Sequence, residues 1–191
     1  MQAYRVFFFD PHAGEGDPGH ASYLHRPQGA SRWDNPDLYD AWYVAATPEA
    51  AVGETFGMLE TWRPEMFSTD YPNMRRALAT FELSDDASLF DFDNAQNLVD
   101  ITMRPSDVVV RTRAATQRRA ASLFEARRDD GEPRWDGVSW WSYYDPSWRV
   151  FALWATASRR APLTLVEVED LDIDQLAVVS AAGSIRRVRK R

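Results

Sequence analysis

Three side chains of different chemistry are spaced along one short stretch of the sequence. Arg32 offers a planar guanidinium, Tyr43 a phenol and Glu54 a carboxylate. A guanidinium suits phosphate, because its fixed fork of donors can engage two oxygens at once. A carboxylate answers a developing positive charge, and an aromatic ring offers a flat apolar face. Together they fit a small molecule that carries both phosphate and sugar. The residues around them read as one loop, one strand and one helix. Small and polar residues from Gly29 to Pro36 make the loop, and the apolar run Ala41-Trp-Tyr-Val-Ala-Ala46 reads as a buried strand. Thr47-Pro48 then has the form of an N-cap followed by proline at the first helical position. Glu54 falls about two turns into that helix. Its neighbour Gly53 costs a helix about 1 kcal/mol against alanine, which points to a close backbone approach there.

This stretch resembles the RES family, named for its Arg, Glu and Ser. The family pattern is a Gly-Gly-Arg-Trp-Asn loop, a Tyr that opens a short strand, and a Glu eleven residues later. Ser31-Arg32-Trp33-Asp34-Asn35-Pro36 stands for the loop, and Tyr43 and Glu54 keep the separation. Asp136-Gly137-Val138-Ser139-Trp140-Trp141-Ser142 matches the family's later Asp-Gly-Ile-x-x-x-Ser segment, and Tyr4-Arg5-Val6 resembles its first strand. The resemblance covers about residues 4–155. The departure is Ala30-Ser31 where the pattern has two glycines, and only glycine takes positive φ at no cost.

Resemblance to the RES family implies an α+β fold: a compact single domain with a split or mixed β-sheet core flanked by helices. This is the architecture of NAD-consuming ADP-ribosyltransferases, with the ligand in a cleft between two small sheets. It implies NAD as substrate and a toxin of a toxin–antitoxin pair, restrained by an antitoxin that occludes the cleft. Carried over residue by residue, Glu54, Arg32 and Ser142 are the catalytic set. Arg32, Tyr43 and Ser142 hold the dinucleotide, and Trp33 is a further ring that can stack on the nicotinamide. Arg5 is a candidate extension of the phosphate site. The chemistry is coherent with one carboxylate. Nicotinamide leaves as a neutral molecule, so its departure needs no acid, and the transition state resembles an oxocarbenium ion. Glu54 can stabilise that charge and orient the attacking group. Water, phosphate or a protein side chain as acceptor share this half-reaction. The alternative is a RES-like cleft that holds a nucleotide or a protein partner without turnover.

Composition narrows the classes. The chain has 191 residues, a net charge of −7 and no cysteine. One domain is the expectation, spanning 1–185, with 186–191 as a basic tail that is solvated or else binds an acidic partner or nucleic acid. The negative charge argues against nonspecific nucleic-acid binding. The absence of cysteine excludes disulfides and fits a reducing cytoplasm. No apolar run nears the roughly 20 residues of a membrane span, and the opening residues do not read as a secretory signal. His12, His20 and His25 share a loop, but their spacing matches no zinc pattern, so no metal is expected. Strands are expected at 3–9, 41–46, 76–83, 138–143, 150–154 and 163–168. Helices are expected from 48 to about 61, near 94–100, over 105–128 with Gln117, Ala120, Ala121 and Phe124 inward, and over 174–181. Residues 62–73 read as an exposed connection.

Overall fold

A computed structural model describes residues 1–109 and 113–191. Tyr, Val and Phe favour the pleated surface of a strand, and they fill the first one, β1 (Gln2–Phe9). The other strands are β2 (Asp40–Ala45), β3 (Thr61–Trp62), β4 (Arg75–Leu83), β5 (Leu89–Asp91), β6 (Gly137–Trp141), β7 (Arg149–Ala155), β8 (Leu163–Asp170) and β9 (Val188–Arg189). The helices are α1 (Pro48–Phe56), α2 (Ala95–Asp100), α3 (Pro105–Val108), α4 (Arg113–Glu125) and α5 (Leu176–Ser184). The fold is α+β, with a mixed seven-stranded sheet in the order β5-β6-β7-β2-β1-β4-β8 and a small β3-β9 pair.

The sheet is one in topology but opens down its middle. β1 and β2 share a single register pair, Tyr4 with Ala45, and then diverge. On either side the ladders are long: β1 matches β4 over eight positions, and β2 matches β7 over six. Two half-sheets therefore splay from one bridge. The main core lies between one face of the sheet and the helices, and joins Ala50, Val52 and Phe56 of α1 to Trp62, Leu78, Trp140 and Trp154. Smaller clusters around Phe7, Phe81, Val44 and Leu153 cover the opposite face.

Several elements differ from expectation, each for a tertiary reason. The helix expected to run to about 61 stops at Phe56, and the Gly57 amide donates back to the Gly53 carbonyl. A Cβ on Gly57 would come within 2.7 Å of the Tyr144 ring, so α1 ends where another loop crosses it. Beyond it, Trp62 is fully buried in β3, not part of an exposed connection. The helix expected over 105–128 is broken after Val108, and α4 is described from Arg113; residues 110–112 of that span lie outside the described residues. Val109 already leaves helical geometry, as suits a β-branched run. The buried stripe of α4 is Thr116, Ala120 and Leu123, while Gln117, Ala121 and Phe124 are half-buried beside it. The last helix, expected over 174–181, is α5, which runs on through Gly183 to Ser184. The basic end is a clasp and not a free tail. Val188-Arg189 pairs in parallel with Thr61-Trp62, Arg187 donates from Nε to the Gly57 carbonyl at 3.0 Å, and Arg189 Nη1 donates to the Ile173 carbonyl at 2.6 Å. Among the described residues no helix is long and apolar enough to cross a membrane.

Candidate active site

The loop that carries Arg32 is built around Asp34. This carboxylate is 4% exposed and accepts three hydrogen bonds. Its Oδ2 takes the Gly29 amide at 2.9 Å and the Ser31 amide at 2.7 Å, and its Oδ1 takes the Tyr43 hydroxyl at 2.7 Å. The same Tyr43 oxygen accepts the Trp33 amide at 3.1 Å. Helix α4 closes the loop from outside: Thr116 Oγ1 donates to the Arg32 carbonyl at 2.7 Å, and Gln117 Nε2 to the Ser31 carbonyl at 2.9 Å. Gly29 alone in this loop uses positive φ, at 147°, so Ala30 and Ser31 sit in ordinary backbone where the family pattern has glycines. The half-buried Arg32 guanidinium donates from Nη1 to the Val108 carbonyl at 2.7 Å, just before the break between α3 and α4. Burial lowers its pKa, while the charges of Glu54 and Tyr43 act against that shift.

Tyr43 faces this loop from β2. Burial first, and then the Asp34 charge, hold its pKa well above the ordinary tyrosine value, so it remains a neutral phenol and donor. Trp33, a candidate stacking ring in the sequence, has a different place. It is fully buried, stacked on Phe92 at 4.6 Å between ring centroids and edge-on to Trp140 at 5.4 Å. No ligand can reach its ring, so its work is packing.

Glu54 projects from α1. Thr47 caps that helix by accepting the Ala50 amide at 3.3 Å, with Pro48 at its first position. The close approach expected at Gly53 is present, since a Cβ there would meet Trp148 Cζ3 at 2.1 Å. Trp148 belongs to the turn between β6 and β7, and the Ser142 amide donates to its carbonyl at 2.8 Å. The contact therefore seats α1 directly on the segment that carries Ser142. The Ser142 hydroxyl, 1% exposed, donates a short hydrogen bond to Glu54 Oε1 and accepts the Tyr144 amide at 3.0 Å. Glu54 keeps open surface at the cleft while the packing around its carboxylate is dense. Burial raises its pKa above 4.5, and the Ser142 hydrogen bond and the Arg32 charge oppose that rise.

A cavity of about 250 Å³ lies where the half-sheets part, with Tyr4, Arg5 and Val6 on one wall, Tyr43 and Val44 on the other, and Glu54 of α1 across it. Ser142 stands behind Glu54, and Arg32 faces the same carboxylate electrostatically. Arg5 also braces the covering loop, donating from Nη1 to the Tyr23 carbonyl at 3.1 Å. Asp34 and Thr116 were not singled out in the sequence, and Trp148 reads there only as core or rim. For Asp34 the signal was present, a carboxylate two positions after the arginine in a loop of small residues.

The RES domain family model matches residues 2–175. The chain belongs to the RES domain family. No curated protein sequence matches this RES domain. Among solved structures it is similar to a chain of the crystal structure of the M. tuberculosis MbcT-MbcA toxin-antitoxin complex. The identity is 16%, the match covers 97% of this chain and 88% of that one, and the TM-score is 0.58. At that identity the likeness shows a shared fold.

Proposed function

We propose that this RES domain is the toxin of a toxin–antitoxin pair and acts on NAD in the cleft between its half-sheets, breaking the nicotinamide–ribose bond. The observation that carries this reading is the Glu54 carboxylate, open to the cleft, with the Ser142 hydroxyl on one oxygen and the Arg32 charge facing it. In this reading nicotinamide departs with the bonding electrons, and positive charge spreads over the ribose C1′ and ring oxygen. Glu54 stabilises that charge and accepts a hydrogen bond from the incoming nucleophile. Ser142 fixes the carboxylate rotamer and, with Arg32, favours its ionised form. Arg32 also reaches toward the diphosphate, and Tyr43 offers its ring edge and holds the Arg32 loop. The product is ADP-ribose joined to water, phosphate or a protein group. The loss of NAD would stop growth in the cytoplasm unless an antitoxin covers the cleft. The kinship in fold to a chain of a toxin–antitoxin complex supports that partner.

Free nicotinamide released from NAD by the purified protein tests this. Glu54→Gln should lower the rate by about 100-fold or more, the scale of removing one electrostatic stabiliser. Glu54→Gln releasing nicotinamide at the unmodified rate would refute the assignment. A melting shift with NAD and no release would leave a nucleotide-binding module instead.

A further inference from the structure

The cavity at Glu54 is too small for a whole dinucleotide. Its volume of about 250 Å³ falls below the roughly 300–1,000 Å³ typical of small-molecule sites. It does not end there. β1 leaves β2 after Tyr4, and a second cavity of about 520 Å³ follows the strand. Arg5 and Val6 line both, so the two are neighbouring chambers along β1.

The second chamber has chemistry of its own. Arg76 of β4 lies over the Phe8 ring, 3.6 Å from its centroid. Phe8 meets Tyr71 edge-on at 5.6 Å, and the two rings are 37% and 58% exposed. The two rings and the guanidinium make one contiguous open aromatic face beside a cation. Neither Arg5 nor Arg76 has a carboxylate partner among the described residues, and burial alone lowers the pKa of both, that of Arg5 to about 10. The chain does not lack acids, with a net charge of −7. Arg75, the next residue, pairs with Asp170 at 2.6 Å, and Arg149 pairs with Asp91 at 3.1 Å. Partly desolvated cations without a counter-charge leave electrostatic demand for an anion.

We propose that the second chamber binds the adenylate half of the dinucleotide, its phosphate at Arg76 and its base against Tyr71 and Phe8. This rests on NAD being the substrate. It adds that the site reads both halves, one on each side of Arg5. Arg5, held by the Ala21 and Tyr23 carbonyls, is the fixed post between the chambers. Arginine over an aromatic ring presents its edge donors to phosphate while its face stays stacked, a geometry lysine cannot reproduce.

The test uses AMP as the probe and reads binding by calorimetry, so that it does not depend on turnover. AMP should bind the unmodified protein, and should bind Arg76→Met at least tenfold more weakly. Methionine keeps the packing on Phe8, and an unchanged melting temperature confirms the variant is folded. Tyr71→Ala, at an exposed ring, is the second variant and should also weaken AMP several-fold. Nicotinamide mononucleotide should not distinguish Arg76→Met from the unmodified protein. Absence of AMP binding at millimolar concentration, equal affinity in Arg76→Met, or inorganic phosphate binding as tightly as AMP would each overturn the assignment. Failure of NAD turnover with these AMP results intact would instead remove the proposed reaction.

Discussion

Asp34→Ala is the sharpest probe of how the site is assembled. The change removes a buried carboxylate that accepts the Gly29 and Ser31 amides and the Tyr43 hydroxyl. Hydrogen bonds to charged groups contribute about 1.5–3 kcal/mol each. Gly29 and Ser31 are exposed, so water replaces much of what their amides lose. The Tyr43 hydroxyl is half-buried and has the Trp33 amide as its other partner, so its loss is not recovered. A net cost of about 3 kcal/mol follows, or a fall in melting temperature of about 6–12 °C for a domain of this size. Urea unfolding should show the midpoint move with an unchanged slope. Tyr43→Phe, which removes the other end of the same bond, supplies a double-mutant cycle. If Asp34 and Tyr43 act as a unit, the two changes together should cost about 1–2 kcal/mol less than their sum. Additive effects, or a loss below about 1 kcal/mol for Asp34→Ala, would refute the account of this loop.

The remaining predictions concern charge, close packing and the chain end. Nicotinamide release should fall on acidification at a pH above that of an ordinary glutamate, because burial raises the Glu54 pKa above 4.5, and Ser142→Ala should move this limb higher still by removing a bond that lowers it; a limb that moves down in Ser142→Ala would contradict the assigned bond. Since the folded Glu54 holds its proton more tightly than the unfolded one, its contribution to stability is most favourable below pH 4.5 and is lost as pH rises through the raised value. Glu54→Gln should therefore melt at or above the unmodified protein at pH 7, as differential scanning calorimetry would show. Gly53→Ala puts a methyl into the Trp148 ring and should cost about 1–3 kcal/mol by denaturation, with the cost largely relieved in a Trp148→Leu background. Arg187→Ala removes both donors to the Gly57 carbonyl, at 3.0 and 2.5 Å, and should lower the melting temperature by about 2–6 °C, whereas a residue in a solvated tail would change nothing.

The sequence showed what local rules control. β1 and β2 were legible because runs of aromatic and β-branched residues have few other uses, and the start of α1 was legible because Thr47-Pro48 is a cap in itself. The spacing of Arg32, Tyr43 and Glu54 along one loop, strand and helix was readable for the same reason. What escaped depends on distant partners. The end of α1 at Gly57 is set by the Tyr144 ring and by Arg187, the latter 130 residues away. Trp33 reads equally well as a stacking ring or as core until Phe92 and Trp140 close on it. The short β5 lies in a tract without periodicity and exists only because β6 pairs with it. The cluster of arginines at the end looked like a solvated charge run, because charge composition does not say that carbonyls of Gly57 and Ile173 await two of those side chains.

The order of strands in the sheet has a consequence for synthesis. One half-sheet joins residues 2–9 to 75–83 and 163–170, and the other joins 40–45 to 137–141 and 149–155. Neither can be completed from the first half of the chain, and interleaved pairings of this kind form late and slowly. A ribosome-bound fragment lacking the last third carries Arg32 and Glu54 but has neither Ser142 nor the Trp148 ring that seats α1. Within this architecture, the three groups meet only after most of the polypeptide has left the ribosome.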